Sequence, residues 1–104
     1  MPDFGSPFSG LANDRKLTDE ELIRGIRFMV ASEYEATQMY VQLAESTDNK
    51  LAAAVLKDIA DEERVHAGEF LRLLYELAPE EKTHYAKGAG EVEEIIKTQR
   101  QKTK

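Results

Sequence analysis

The chain has 104 residues, with 20 acidic and 14 basic side chains, a formal net charge of -6 and no cysteine. A chain of this length forms one domain at most and buries a modest fraction of its surface, so self-association is expected. The absence of cysteine excludes disulfides, thiolate metal sites and cysteine nucleophiles, and the negative charge disfavours nucleic acid and anionic lipid as partners.

Residues 1–16 are predicted to be a mobile leader. They contain glycine, proline and serine and show no apolar periodicity. The N-terminus has no basic stretch followed by an apolar run, and no segment approaches the roughly 20 apolar residues that span a bilayer. A protein without membrane association, located in the cytoplasm, is therefore expected.

The first helix is predicted from Asp19 to Glu45. Thr18 and Glu21 form a capping box, in which the hydroxyl and the carboxylate satisfy free backbone donors at a helix start. Apolar side chains then follow at steps of four and three, which is typical of an amphipathic helix; they are Leu22, Ile26, Met29, Ala36, Tyr40 and Leu43. Glu33 occupies the step between Met29 and Ala36, so a carboxylate is predicted in the middle of this apolar seam.

Residues 46–49 are typical of a tight turn, and a second helix is predicted from about Asn49 to Ala78, where Pro79 ends it. Its apolar seam has the same steps and consists of Ala52, Leu56, Ile59, Phe70, Leu73 and Leu77. Glu63 and His66 interrupt this second seam near its centre.

After Pro79 the sequence predicts a short helix to about Lys87, ended by Gly88, and another from Glu91 to Gln99. Residues 17–99 then form the domain and residues 100–104 a tail. The predicted fold is all-α, an antiparallel two-helix hairpin with short C-terminal helices. Since two helices seldom bury enough surface alone, two hairpins are expected to pair into a four-helix bundle.

Three potential metal ligands are predicted to meet at one level of the hairpin. Counted from the turn midpoint at about 1.5 Å per residue, Glu33 lies roughly 22 Å along the first helix, and Glu63 and His66 lie roughly 23 Å and 28 Å along the second. Glu63 and His66 are three residues apart and share a helix face. Carboxylates on a core face are costly and repel each other, and a cation relieves both effects.

This ligand set is half of the set found in carboxylate-bridged di-iron bundles. Complete bundles take a glutamate from each of two helices and a Glu-x-x-His unit from each of the other two. Because this chain has one of each, a twofold dimer is expected to complete a centre of two irons shared between subunits. Carboxylate oxygens and imidazole nitrogens also bind manganese, so the choice between iron and manganese remains open. The sequence also leaves open whether dioxygen or hydrogen peroxide would oxidise the bound metal.

The stretches EYEATQMYVQLAESTD (33–48) and IADEERVHAGEFLRLLYEL (59–77) resemble the encapsulated ferritins, which belong to the ferritin-like di-iron superfamily. The resemblance implies a ferritin-like bundle, a di-iron centre between two subunits and a decameric ring of dimers. It also implies ferroxidase activity, the oxidation of Fe(II) to Fe(III), for iron storage or detoxification with an encapsulin compartment. Glu33, Glu63 and His66 match the iron ligands of this family.

The same resemblance concerns residues beside the centre. Tyr40 matches a tyrosine near the iron, and Glu35 matches an acid associated with the passage of metal into the centre, whereas Ser32 stands where some members have a second such acid. Some members end in a peptide that targets them to an encapsulin shell. Residues 98–104 do not look like one, and a truncated fusion to the shell protein would also fit.

Two other functions remain open from the sequence. A rubrerythrin-like peroxide reductase uses the same kind of di-iron bundle, although its rubredoxin module needs cysteines that this chain lacks. A non-enzymatic helical dimerisation module, in which Glu33 fixes the register and Glu63 and His66 are solvated, would associate without regard to iron. His84 has no carboxylate partner on its helix face, and a lone histidine is usually structural or exposed, so metal binding is not expected there.

Overall fold

The computed structural model describes residues 14–103, which form three helices: α1 (Asp19–Glu45), α2 (Lys50–Leu77) and α3 (Pro79–Lys102). Within this range there is no strand, which confirms the predicted all-α fold. No helix among these residues is both long enough and apolar enough to cross a membrane. Of the predicted leader, residues 1–13 lie outside the described residues.

The predicted capping box starts α1. The Glu21 amide donates to Thr18 Oγ1 over 3.2 Å, and the Thr18 amide donates to Glu21 Oε1 over 2.9 Å. Arg15 donates two further hydrogen bonds to the same carboxylate, and this guanidinium is the main reason why the pKa of Glu21 falls to about 2. The carboxylate therefore stays charged beside the free amides of the helix start, where negative charge is favourable.

The turn between α1 and α2 is also as predicted. The Ser46 amide donates to the Leu43 carbonyl over 3.1 Å and closes the last turn of α1. Asn49 then caps α2, because its Oδ1 accepts from the Ala52 amide over 2.9 Å. The free backbone groups at the end of α1 and at the start of α2 thus find hydrogen-bond partners within a short turn. After this turn α2 runs antiparallel to α1.

The contact between α1 and α2 includes Ile26 of the predicted seams, but most of its buried residues lie beside these seams and several are alanines. The buried apolar residues of the hairpin are Ile26, Val30, Ala44, Ala60, Ala67, Leu74 and Ala78. Alanines at a helix contact allow the two backbones to approach closely, since interhelical distance depends on the side chains between them. Of the larger seam residues, Phe70 and Leu77 pack against the core cluster that contains Ile26, whereas Leu22, Leu43 and Leu73 are left exposed on one side of the hairpin.

We call this side the open face; its apolar members are the exposed Leu22, Leu43, Val55 and Leu73 and the half-buried Met29, Tyr40, Ile59 and Leu77. Leu43 is 56% exposed and Leu73 is 42% exposed, although both belong to the predicted seams. Exposed apolar side chains grouped on one side of a domain are typical of an interaction site. One chain therefore leaves part of its apolar seam uncovered.

The C-terminal region differs from its prediction, because α3 is one continuous helix of 24 residues. The predicted break at Gly88 is wrong, and the helix also continues three residues beyond the predicted end at Gln99. A glycine inside a helix weakens it by about 1 kcal/mol, which does not by itself end a helix. Pro79 occupies the first turn of α3, where its missing amide proton has no helical partner to lose.

Side chains near the beginning of α3 attach it to the hairpin. Arg27 of α1 donates to Glu81 Oε1 from both Nε and Nη2, and the Tyr85 hydroxyl donates to Glu81 Oε2. The Tyr85 ring also lies 5.9 Å from the Tyr75 ring of α2, measured between centroids. We call Arg27, Glu81, Tyr85 and Tyr75 the α3 anchor.

Replacing Gly90 with alanine tests the continuity of α3. A Cβ at this position meets no atom within 4 Å, so Gly90→Ala should raise the free energy of unfolding by about 0.5–1 kcal/mol, as expected for a helix interior. Urea denaturation followed by circular dichroism measures the change, and Ala86→Gly, on the same exposed stretch, should shift it oppositely. Destabilisation by Gly90→Ala would contradict a continuous helix.

Candidate metal centre

The hairpin brings Glu33 of α1 together with Glu63 and His66 of α2. His66 Nδ1 lies 3.8 Å from Glu33 Oε2 and 3.8 Å from Glu63 Oε2. Each residue offers one ligand atom, and the three atoms lie within 4.8 Å of one another. The structure therefore places these three residues at one level of the hairpin, as the sequence predicts.

The three side chains differ in their access to solvent. The side chains of Glu33 and Glu63 are 16% and 19% exposed, while that of His66 is 49% exposed. Glu33 Oε2 is buried and has no hydrogen-bond partner among the described residues. Buried polar atoms are nearly always paired, so an unpaired carboxylate oxygen calls for an explanation.

Electrostatics at Glu33 work against its ionised form in the metal-free chain. Burial raises the pKa of Glu33 above its usual value, and the neighbouring Glu63 carboxyl raises it further, whereas His66 acts in the opposite direction. Removing a carboxylate from water and placing it near another carboxylate both favour the neutral acid. A bound cation would reverse both effects.

The donors suit a divalent or trivalent metal ion of the first transition row. Two carboxylate oxygens and one imidazole nitrogen form a mixed oxygen and nitrogen set, which such ions accept. Metal bonds of about 2.0–2.2 Å to these atom types place ligands ~3–4 Å apart around one ion, close to the two spacings of 3.8 Å. The unpaired Glu33 oxygen and this donor set together fit a metal site.

The other residues singled out in the sequence lie outside this group of three. Tyr40 is half-buried on α1, two turns beyond Glu33 on the same side of the helix. Ser32 and Glu35 are half-buried as well and occupy other sides of α1. His84 is exposed in α3, and its Nδ1 lies 2.7 Å from the Glu80 carbonyl oxygen of the previous turn.

Two neighbours of the centre were not identified from the sequence. Glu69 and Phe70 line a groove together with Glu33 and His66. Glu69 is exposed and lies one turn beyond His66, a spacing that could have indicated its position. It adds a carboxylate at the solvent side of the groove, three residues after the exposed histidine.

Comparison with known proteins identifies the family. The family model described as Rubrerythrin matches residues 27–103, a stretch that contains all three ligand candidates. This chain belongs to the rubrerythrin family. Members of this ferritin-like family bind iron, and the carboxylate and histidine group found here has the residue types that such binding requires.

Two curated relatives have names that refer to encapsulins. The chain is 42% identical over 91 residues to the encapsulin nanocompartment cargo protein EncC of Myxococcus xanthus, covering 88% of this chain and 68% of that protein. It is 37% identical over 82 residues to a ferritin-like-encapsulin shell fusion protein of Pyrococcus furiosus, covering 79% of this chain. This chain spans only 24% of that fusion protein.

A solved structure has the same fold. The crystal structure of the encapsulated ferritin domain from Pyrococcus furiosus superposes with a TM-score of 0.81 and 32% sequence identity, covering 89% of this chain and 95% of that one. The resemblance to encapsulated ferritins that the sequence motifs indicate is thereby confirmed. The predicted ferritin-like fold class is confirmed with it.

Replacing Glu33 with glutamine should stabilise the metal-free protein at neutral pH. Because the folded-state pKa of Glu33 is raised, the folded protein holds this proton more tightly than the unfolded chain, so the wild type loses stability as pH rises through that pKa. Glutamine has no such titration. We expect metal-free Glu33→Gln to unfold at a higher urea concentration, with an advantage that shrinks as pH is lowered.

The measurement is urea denaturation in the presence of a chelator, at neutral pH and at successively lower pH. Glu62→Gln, at an exposed neighbouring position, is the control and should behave like the wild type. If the metal-free wild type is as stable as Glu33→Gln at neutral pH, the charge of Glu33 does not destabilise the folded protein.

Proposed function

We propose that this protein is a ferroxidase, which oxidises Fe(II) to Fe(III) at a di-iron centre formed between two subunits. The observation that carries the proposal is the buried, unpaired Glu33 oxygen next to the Glu63 carboxylate and the His66 imidazole. These groups are held ready for a cation, and the family to which the chain belongs binds iron. Membership of that family supports an oxidoreductase, and the similarity to an encapsulated ferritin domain favours a ferroxidase among the oxidoreductases that use such a ligand set.

A twofold dimer makes the site complete. Di-iron bundles use four carboxylates and two histidines from four helices, and one chain supplies two carboxylates and one histidine from two helices. The half-site lies on the side of the hairpin that carries the open face, where apolar side chains are exposed. Pairing two open faces about a twofold axis buries these side chains and brings two half-sites together.

The chemistry is a two-electron transfer from two Fe(II) ions. Each Fe(II) gives up one electron, and dioxygen takes both electrons with two protons to form hydrogen peroxide; with peroxide as oxidant the same electrons and two protons give two waters. Glu33 and Glu63 supply negative charge, which favours the higher positive charge of Fe(III). His66 contributes a neutral imidazole nitrogen, so binding requires that its ring be deprotonated at the ligating atom.

An encapsulin shell is the proposed partner. Both curated relatives are named for encapsulins, one as cargo and one as a fusion with the shell. By analogy the protein acts inside an encapsulin compartment in the cytoplasm, as a decameric ring of dimers, and delivers Fe(III) for storage or detoxification there. Tyr40 is proposed to act beside the centre and Glu35 to guide metal ions towards it.

A peroxide reductase is the second candidate, because the matching family model carries the name Rubrerythrin. Repeated turnover in that role requires an electron donor that returns Fe(III) to Fe(II), and the chain has no cysteine to hold a rubredoxin-type iron. Catalytic peroxide consumption with an external electron donor, faster than the consumption of peroxide by Fe(II) alone in single turnover, would favour this function over the ferroxidase.

Iron binding and oxidation test the main proposal directly. Fe(II) added without oxygen should bind at two irons per dimer, and oxygen should then produce a ferric absorbance. Glu33→Ala, Glu63→Ala and His66→Ala should each lower the initial rate by roughly 100-fold or more, since residues that only orient ligands already cost about 10–100-fold. Oxidation by the wild type at the buffer rate would disprove the function, and normal rates in all three variants would disprove the site.

Replacing Glu35 tests its proposed role separately. Glu35→Gln should slow iron uptake under limiting Fe(II) while the number of irons bound per dimer stays the same, because the residue lies outside the ligand group. Stopped-flow absorbance gives the rate and anaerobic titration gives the stoichiometry. Glu45→Gln, at the exposed end of α1, is the matched control; a lower stoichiometry in Glu35→Gln would make Glu35 a ligand instead.

A further inference from the structure

The two ring nitrogens of His66 have different surroundings. Nδ1 lies 3.8 Å from Glu33 Oε2 and 3.8 Å from Glu63 Oε2, so it is the nitrogen that faces the other two ligand candidates. A neutral imidazole that binds a metal through one nitrogen carries its hydrogen on the other. Nε2 then has a hydrogen to donate, whereas the ring contacts seen within residues 14–103 are those of Nδ1.

The second nitrogen of a metal-binding histidine normally has an acceptor. Such histidines donate the hydrogen to a carboxylate, a backbone carbonyl or a water molecule, and a carboxylate acceptor makes the ligating nitrogen more basic. The side chain of His66 is 49% exposed, so packing holds its ring only in part. A carboxylate that reaches Nε2 would both orient the ring and strengthen its bond to a metal ion.

Glu69 has the position that such an acceptor requires. It follows His66 by three residues and lines the same groove. Side chains of an α-helix lean towards its N-terminus, so each residue covers the turn before its own Cα, and Glu69 covers the turn that contains His66. Glu69 is exposed, and its carboxylate makes no hydrogen bond or ion pair in the described part of the chain. It is therefore available to Nε2.

The remainder of the groove favours this contact over its alternative. Phe70 forms an apolar wall of the groove and packs against the core cluster of the hairpin, and apolar surroundings strengthen a hydrogen bond. Glu62 is the other exposed carboxylate within about one turn of His66. It is not among the described residues that line the groove, and its side chain leans towards the preceding turn, away from the ring.

We propose that Glu69 is a positioning residue for His66, whose carboxylate accepts the Nε2 hydrogen while Nδ1 binds the metal ion. The inference rests on the proposed function, because it concerns a ligand of the same centre. The hydrogen bond keeps the hydrogen on Nε2, fixes the orientation of the ring and makes Nδ1 a stronger donor. Glu69 does not bind the metal itself; it acts through His66.

Zn(II) affinity tests this role without redox chemistry, because Zn(II) accepts carboxylate and imidazole ligands and keeps its oxidation state. Competition with chelating dyes of graded affinity gives the dissociation constant for the full-length protein. Glu69→Ala should weaken binding about 10-fold or more, and Glu69→Gln should weaken it less, because its amide oxygen still accepts a hydrogen bond. Glu62→Ala removes the same charge outside the groove and should bind like the wild type. Wild-type affinity in Glu69→Ala, or equal losses in Glu69→Ala and Glu69→Gln, would overturn the proposal.

A His66→Ala background separates positioning from direct metal binding. Without the ring, adding Glu69→Ala should cause no further loss of Zn(II) affinity, because Glu69 then has no ligand to orient. An equal loss in both backgrounds would make Glu69 a ligand and overturn the proposal. Metal-free Glu69→Ala should unfold at the same urea concentration as the wild type, because Glu69 is exposed. A wild type that shows this pattern of Zn(II) affinities but does not oxidise Fe(II) would disprove the ferroxidase and leave the positioning role intact.

Discussion

One buried carboxylate oxygen, Oε2 of Glu33, imposes the constraint around which this hairpin is organised. It has no hydrogen-bond partner in the described chain, and its neighbours across the helix contact are a second carboxylate and an imidazole. A side chain in this position must be protonated or must share a cation. The raised pKa of Glu33 shows that the metal-free chain tends towards the first solution. A bound metal ion provides the second, which uses all three side chains at once.

The packing of the hairpin places this constraint at a surface that one chain does not cover. Ala60 and Ala67 occupy the contact between α1 and α2, so the helices approach closely and several larger side chains stay outside the contact. Leu43 and Leu73 remain exposed on the open face, on the side where His66 reaches solvent. A domain that leaves such large apolar side chains exposed has not completed its core. In the proposed dimer the same contact would complete both the core and the ligand set.

The sequence predicted the parts of this structure that depend on local helix-capping and turn chemistry and on the number of residues between the turn and each ligand. The capping box at Thr18 gave the start of α1, and the short turn fixed the levels of Glu33, Glu63 and His66, because an antiparallel hairpin joined by a tight turn leaves little freedom along the helix axes. The sequence did not show which side of α2 faces the neighbouring helix. Apolar and small residues cover a wide sector of α2, and periodicity alone does not show that the side with Ala60, and not the side with Leu73, packs against α1.

The course of α3 was harder to predict for a different reason. Glycine occurs both at helix ends and, at a modest cost, inside helices, so Gly88 did not decide whether the helix continues. The contact of Arg27 with Glu81 joins residues 54 positions apart in the sequence. It depends on the angle at which the chain leaves Ala78 and enters Pro79. No local pattern encodes that angle, and the predicted structure beyond Pro79 was accordingly less accurate than that of the hairpin.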